Sequence, residues 1–150
     1  MSTSTGSAGA TNPPTSSPRK YVPETEGLNR EFFEQCAAGA LHLQRCAECG
    51  TYRHPPRYYC QDCFSDRWAW EPSAGLGTVA SWVTSHFTVD RGWVDELPYT
   101  TVVVELAEGP RLLGAIRNMT VDHLCLGKAV RLVGEPKRDD FVFFWVEPAD

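Results

Sequence analysis

Two Cys-x-x-Cys pairs, Cys46-Ala47-Glu48-Cys49 and Cys60-Gln61-Asp62-Cys63, stand ten residues apart and carry the strongest chemical signal in the chain. Each short loop aims two sulfurs at one point, and two such knuckles close a tetrahedral cage around one Zn²⁺ with Zn–S near ~2.3 Å. Four thiolate ligands leave no open position for a metal-bound water, so this is the chemistry of a structural site. A redox Cys-x-x-Cys would need a βαβ setting, and no long helix follows either motif. Disulfides would need an oxidising compartment, and residues 1–30 lack the apolar core of a secretory signal. Cys36 and Cys125 fall outside the pattern and are expected to be small buried hydrophobes.

A ribbon of this size buries too little surface to fold alone, so the metal must supply much of its folding energy. The elements around it follow from composition. Residues 1–27 open with Ser, Thr, Gly, Ala and Pro, and a disordered tail is expected there. Leu28, Phe32, Phe33, Cys36 and Ala40 recur near helical spacing, with Asn29 as a cap, Glu31 in the first turn and Gly39 as a stop. This amphipathic helix either packs on the body of the protein or docks on a partner. Leu41 to Arg45 alternates as a strand, which makes 28–45 a helix with a lead-in strand and 46–70 the ribbon proper. Between the knuckles the proline-rich His54 to Tyr59 should run extended, with His54 packing at the surface rather than binding metal. Trp68 and Trp70 share one face of an extended segment and are expected to cover the seam to the next domain.

From residue 71 to 150 the pattern is β. Runs at Gly77–Phe87, Tyr99–Leu106, Arg111–Ile116, Lys128–Val133 and Phe141–Val146 are rich in Val, Thr and aromatics and bounded by turn residues. A helical insert at Thr120–Leu126, closed by Gly127, lies between the third and fourth runs. Five short strands in that order predict an OB-fold barrel, so the fold class is mainly β: a helix, a rubredoxin-like zinc ribbon, then the barrel. The last run is apolar on both faces and calls for cover on its outer side or forms an aggregation-prone edge.

Net charge is −5, with the acidic excess after residue 70. Phosphate recognition needs clustered Lys and Arg, so a nucleic-acid partner is disfavoured. No stretch approaches the ~20 consecutive apolar residues of a membrane span, and a soluble cytoplasmic protein is expected.

The order of parts is similar to a known family. Glu31-Phe32-Phe33, Leu43 to Gly50, Pro55-Pro56-Arg57 before the second knuckle, Gly75 to Val79, Leu97-Pro98-Tyr99, Arg111 to Gly114 and Leu126 to Val130 together resemble the zinc-ribbon plus OB-fold family of acyl-CoA-associated proteins, over about residues 28–148. The resemblance implies a non-catalytic companion of a thiolase-fold enzyme: a thiolase, an acyltransferase or a lipid-transfer-type aldolase that shortens steroid side chains. Some relatives accompany hotdog-fold enoyl-CoA hydratases. In such assemblies the partner binds most of the acyl-CoA and supplies the catalytic residues. No fused enzyme domain is expected, and a stand-alone subunit of a hetero-oligomer is the expectation.

The residues themselves agree that catalysis lies elsewhere. His42, His54, His86 and His123 are scattered, and the acid pairs Asp95-Glu96 and Asp139-Asp140 sit in turns, where solvated loop charge accounts for them. For a partner interface the candidates are Phe32 and Phe33 on the helix, and Phe87, Arg91, Trp93 and Leu97 in the first barrel loop, through which OB-folds commonly bind. The alternative for Trp93 is to fold back and cap the barrel. Gly109, Pro110 and Arg111 offer a second rim. Arg45, Arg53 and Arg57 are the candidates for contact with CoA phosphates. Two other functions stay open: a single-stranded nucleic-acid binder and a free-standing acyl-CoA-binding protein.

Overall fold

Strand-forming residues after Leu41 sort into two sheets in a computed structural model that describes residues 19–149. The first is small. Its centre is β1 (His42–Cys46), flanked antiparallel by β2 (Tyr52–Arg53) and β3 (Trp68–Pro72). The second is a closed barrel of β4 (Leu76–Ser85), β5 (Tyr99–Leu106), β6 (Arg111–Ile116), β7 (Ala129–Arg138) and β8 (Phe141–Pro148), in the order β4-β5-β6-β8-β7. Closure comes from the β4–β7 pairing, and β6 meets β8 in parallel at only two residue pairs, Ala115 with Trp145 and Ile116 with Val146. A single turn of 3₁₀ helix, Val121–His123, stands where the helical insert is expected.

Period-two alternation places the core. On β5 the residues Val102, Val104 and Leu106 point inward, and on β8 Val142, Phe144 and Val146 do the same. The outer aromatics of β8 are half-buried because other elements cover them: Phe33 lies 4.9 Å from Phe141 and Trp93 lies 5.6 Å from Phe143, ring to ring. Gly77 permits the start of β4 to lie against β5, since a Cβ there would stand 2.3 Å from the Glu105 carbonyl oxygen.

Helix α1 (Gly27–Ala37) buries Leu28, Phe32 and Cys36, one residue per turn, against both sheets. It starts earlier than the sequence suggests. Glu26 occupies the N-cap position without a side-chain cap, so Asn29 lies inside the helix and Glu31 falls beyond its first turn. Gly39, at φ 136°, follows its end. Phe32 ties the halves together: its ring is 4.8 Å from His54, 6.2 Å from Trp70 and 6.1 Å from Phe144. Trp70 thus covers the seam as expected, whereas Trp68 faces Tyr58 on the ribbon.

Two further expectations change. The tail expected to be disordered to residue 27 lies in part outside the described residues, but residues 19–26 run along the barrel. Thr25 is buried with its hydroxyl 3.0 Å from the Asp140 carboxylate, Arg138 donates to the Pro23 carbonyl at 2.7 Å, and Lys20 pairs with Glu96. Cys125 is exposed in the turn before Gly127, because only Leu124 of that turn reaches the core. Cys36 is buried as expected, and burial pushes its thiol up to about 11. No described helix is long and apolar enough to cross a membrane.

Candidate metal centre and interaction surfaces

The two knuckles are built alike. In the first, the Cys46 N–H donates to the Thr51 carbonyl and the Gly50 N–H to the Cys46 carbonyl; in the second, Cys60 and Phe64 repeat both bonds with Ser65 and Cys60. Gly50 and Phe64 take equivalent left-handed positions, at φ 75° and 61°. The turns bring four sulfurs within 4.8 Å of one another, with Cys46–Cys63 and Cys49–Cys60 both at 3.5 Å. A tetrahedral cage with Zn–S of ~2.3 Å has edges of roughly 3.8 Å, so this set fits a tetrahedral four-thiolate ion. All four are free of disulfides.

Crowding of the four sulfurs splits their protonation. The Cys49 backbone N–H pulls the Cys46 thiol down to about 7. At Cys63 the Ser65 N–H acts downward, but desolvation and the three neighbouring sulfurs prevail and push the thiol up to about 12. Like charges crowded together cannot all ionise, and a divalent ion removes that conflict. Cys46 and Cys60 are buried while Cys49 and Cys63 face solvent, so the cluster is shielded by the chain on one side only. The Thr51 hydroxyl donates to Asp62 at 2.7 Å and links the knuckles directly.

The three candidate arginines do not form one cluster. Register pairs Gln44 with Arg53 and Arg45 with Tyr52, which puts Arg45 and Arg53 on opposite faces of the ribbon sheet. Arg45 bonds both Glu71 oxygens, at 3.2 and 3.3 Å, and the Gly50 carbonyl. The Tyr52 hydroxyl and Arg45 hold Glu71 below the usual carboxylate range. Arg53 is buried and donates to Gln44 Oε1 at 2.6 Å, and the Arg57 N–H shares that oxygen at 2.8 Å. His54, expected to pack at the surface, is half-buried. Its ring packs on Phe32, and burial pushes it down to about 4.

The interface candidates separate as sharply. Phe32 is 3% exposed and belongs to the core, because its turn of α1 faces the seam. Phe33 is half-buried. In the loop, Asp90 accepts from the Gly92 N–H and caps a 3₁₀ helix, Arg91–Glu96, that folds Trp93 back onto Tyr99 and Phe143. Trp93 therefore caps the barrel wall, the alternative the sequence left open, with Lys20 4.4 Å above its ring. Leu97 is half-buried, and Arg91 is exposed. Phe87, Val89 and Val94 remain outside, 77%, 90% and 51% exposed. An apolar groove of about 280 Å³ lies between Phe33, Trp93, Leu113 and Phe143.

Sequence reasoning missed Val89, Val94 and Leu113 on this surface, and Gln44 and Glu108 at the ribbon–barrel junction. The signal for Val89 and Val94 was two valines in a loop dominated by polar residues. For Gln44 there was a polar residue in the strand phase opposite Leu43, with nothing local to show that both faces are covered.

Comparison with known proteins gives a consistent picture. Residues 33–69 match the family described as "ChsH2, rubredoxin-like zinc ribbon domain", and residues 70–135 match "ChsH2, C-terminal OB-fold domain". A solved structure described as "Ltp2-ChsH2(DUF35) aldolase" contains a chain 32% identical, aligned over 86% of this chain and 100% of that one with a TM-score of 0.76. A probable enoyl-CoA hydratase alpha subunit of Thermomonospora curvata is 36% identical over 108 residues, which is 70% of this chain and 33% of that protein. The 3-oxo-4,17-pregnadiene-20-carboxyl-CoA hydratase alpha subunit of Mycobacterium tuberculosis is 34% identical over 100 residues, 67% of this chain and 31% of that protein. The chain thus spans about a third of the length of these two curated relatives.

Proposed function

The chain belongs to the ChsH2 (DUF35) family of zinc-ribbon and OB-fold proteins, and from that premise we propose that it is a non-catalytic accessory subunit of a thiolase-fold enzyme acting on acyl-CoA thioesters. The reaction served is formation or cleavage of a carbon–carbon bond beside the thioester, thiolytic or retro-aldol. A steroid or lipid side chain is the acyl group favoured by the name of the mycobacterial relative. The observation that carries this reading is the alignment over the whole of a chain from an aldolase named for two components, Ltp2 and ChsH2.

The residues support a supporting role. His42 is spent on the Ala40 carbonyl, the His54 ring packs on Phe32, and the contact of His123 with the Thr120 hydroxyl is the capping box of a single 3₁₀ turn, with no third group orienting the imidazole among the described residues. The four cysteines would hold Zn²⁺ as a cross-link between the knuckles, and the ion's contribution is folding energy. The exposed group Phe87, Arg91, Val89 and Val94 would meet the partner. Acyl-CoA would be bound mainly by that partner. A hotdog-fold enoyl-CoA hydratase is a second partner, favoured by the two hydratase alpha-subunit relatives.

Co-expression with a thiolase-like protein encoded beside this chain tests the proposal. A complex should elute together on size exclusion, and its activity on an acyl-CoA should fall when this chain is left out. Phe87→Ser with Val89→Ser should release the partner while leaving this chain folded. A neighbour equally soluble and active alone would refute the reading.

A further inference from the structure

An unpaired strand edge presents alternating N–H and C=O groups to whatever lies beside it, and natural sheets guard such edges with charge, proline or cover. Most open stretches of this molecule follow the rule. Beyond its pairing with β4, β7 runs through Glu135, Pro136, Lys137 and Arg138. The part of β6 not joined to β8 begins at Arg111, after Pro110. The part of β8 not joined to β6 has α1 and the 3₁₀ turn packed on it through Phe33 and Trp93. The outer strand of the ribbon, β3, ends in Glu71 and Pro72.

The second half of β4 is the exception. Its pairing with β7 covers only Leu76, Gly77 and Thr78, and the bonds of Val79 with Lys128 and Gly127 are the last on that side. A bulge between Val79 and Ser81 turns the strand, and residues 81–85 are then paired with β5 alone. Their other edge is open among the described residues. The stretch is nonetheless a regular strand, with the Thr84 and Thr100 hydroxyls 2.9 Å apart across the pair. No Lys, Arg, Asp, Glu or Pro occurs in residues 73–89. Trp82 and Val83, which alternate between the two faces, are 38% and 62% exposed. A bare edge of β-forming residues, apolar on both faces, is an aggregation liability that a joined strand removes.

The chemistry of the edge names what covers it. Only an extended backbone offers donors and acceptors at the two-residue spacing of a strand. A second copy of this chain fits poorly, because residues 71–150 hold seven Lys and Arg against twelve Asp and Glu, and two barrels side by side would repel. The edge also runs straight into Phe87 and Val89, the exposed residues assigned above to the partner surface. Resting on the accessory-subunit reading, we infer that the partner enzyme adds a β-strand to residues 81–85 of β4. That strand carries apolar side chains beside Trp82 and Val83 and no acidic residue between them.

Hydrogen exchange resolved to single amides tests the pairing, on the zinc-loaded full chain alone and in complex with the thiolase-like protein encoded beside it. In the free chain every second amide of residues 81–85, the ones turned away from β5, should exchange fast. In the complex the same amides should slow at least ~10-fold, as a bond to water becomes a bond to a strand. Val83→Lys sets a guard on the edge and should weaken the complex at least ~10-fold, with zinc content and barrel protection unchanged. Val83→Thr, a neutral β-former, should keep the affinity. A complex that forms without slowing these amides, or that holds Val83→Lys as tightly as the parent chain, would overturn the strand pairing and leave the accessory-subunit reading standing. Failure to form any complex would overturn both. Protection of these amides in the free chain that rises with its concentration would give the edge to a second copy and overturn the inference as well.

Discussion

Ribbon and barrel belong to one chain yet hold their shape by different means. The barrel is a closed hydrogen-bonded sheet around side chains with no exposure at all, including Val102, Val104, Val130 and Val146. In the two knuckles the deeply buried side chains are the sulfur-bearing Cys46 and Cys60, and most of the residues around them are exposed. Apolar burial contributes roughly 25 cal/mol per Å², so a segment with little apolar area to bury needs another source of folding energy. The cysteine cluster supplies it, and the ribbon surface, Tyr58, Tyr59 and Phe64 included, stays open for contacts.

Removing the metal should break this contrast most visibly. Structural zinc binding is worth on the order of 10 kcal/mol at neutral pH, far above what the knuckles gain from packing. Chelation, or Cys60→Ser, should therefore unfold residues 46–67 while β4 to β8 keep their amide protection. Hydrogen exchange read by mass spectrometry, beside metal analysis, checks it. Loss of protection throughout the barrel would show that the two regions fold as one unit.

The seam comes next. Phe32 touches His54 and Trp70 on one side and Phe144 on the other, and truncation of such a buried aromatic costs about 3–5 kcal/mol. Phe32→Ala should lower the urea midpoint of ribbon and barrel together, whereas Phe33→Ala, at a half-buried site, should cost less. Separate tryptophan and metal-release probes would report the two halves.

His54 adds a pH dependence to that seam. Burial holds its ring neutral with a folded value of about 4, below the ordinary 6.5, so between those values the unfolded chain binds the extra proton. Stability from this group is complete above pH ~6.5 and is lost as pH falls through about 4, a change of up to ~3 kcal/mol. Denaturation at pH 7 and pH 4.5 should show the loss, and His54→Phe should flatten it.

The same contrast explains what could be read from the chain. Periodicity and turn residues located every barrel strand, because alternation such as Tyr99 to Leu106 reports a face directly. The cysteine spacing likewise predicted that four sulfurs would converge. Positions whose role depends on packing between regions were not legible. Phe32 and Phe33 look equivalent in sequence, and only the docking angle of α1 sends the first into the seam. Arg45 and Arg53 look like one cationic cluster until the β1–β2 register puts them on opposite faces. Trp93 needed the 3₁₀ turn after Asp90 to be seen folding inward. Glu108 gains its place only when the barrel hairpin meets the ribbon.

The smallest effect separates the two knuckles themselves. Gly50 fills the left-handed position of the first, and Phe64 fills the equivalent position of the second at φ 61° while 79% exposed. A non-glycine residue there costs about 1–2 kcal/mol, part of which glycine returns as unfolded-state entropy. Phe64→Gly should therefore strengthen the ribbon by a few tenths to ~1 kcal/mol, seen as a higher chelator concentration at half metal release. An aromatic ring held out in solvent on strained backbone suits a contact with another protein better than it suits this fold. If Phe64 meets the partner enzyme, the same substitution should weaken the complex while the ribbon grows more stable. Opposite signs in the two measurements would assign the ring to recognition, and a stabler ribbon with unchanged complex affinity would leave the second knuckle as a purely structural copy of the first.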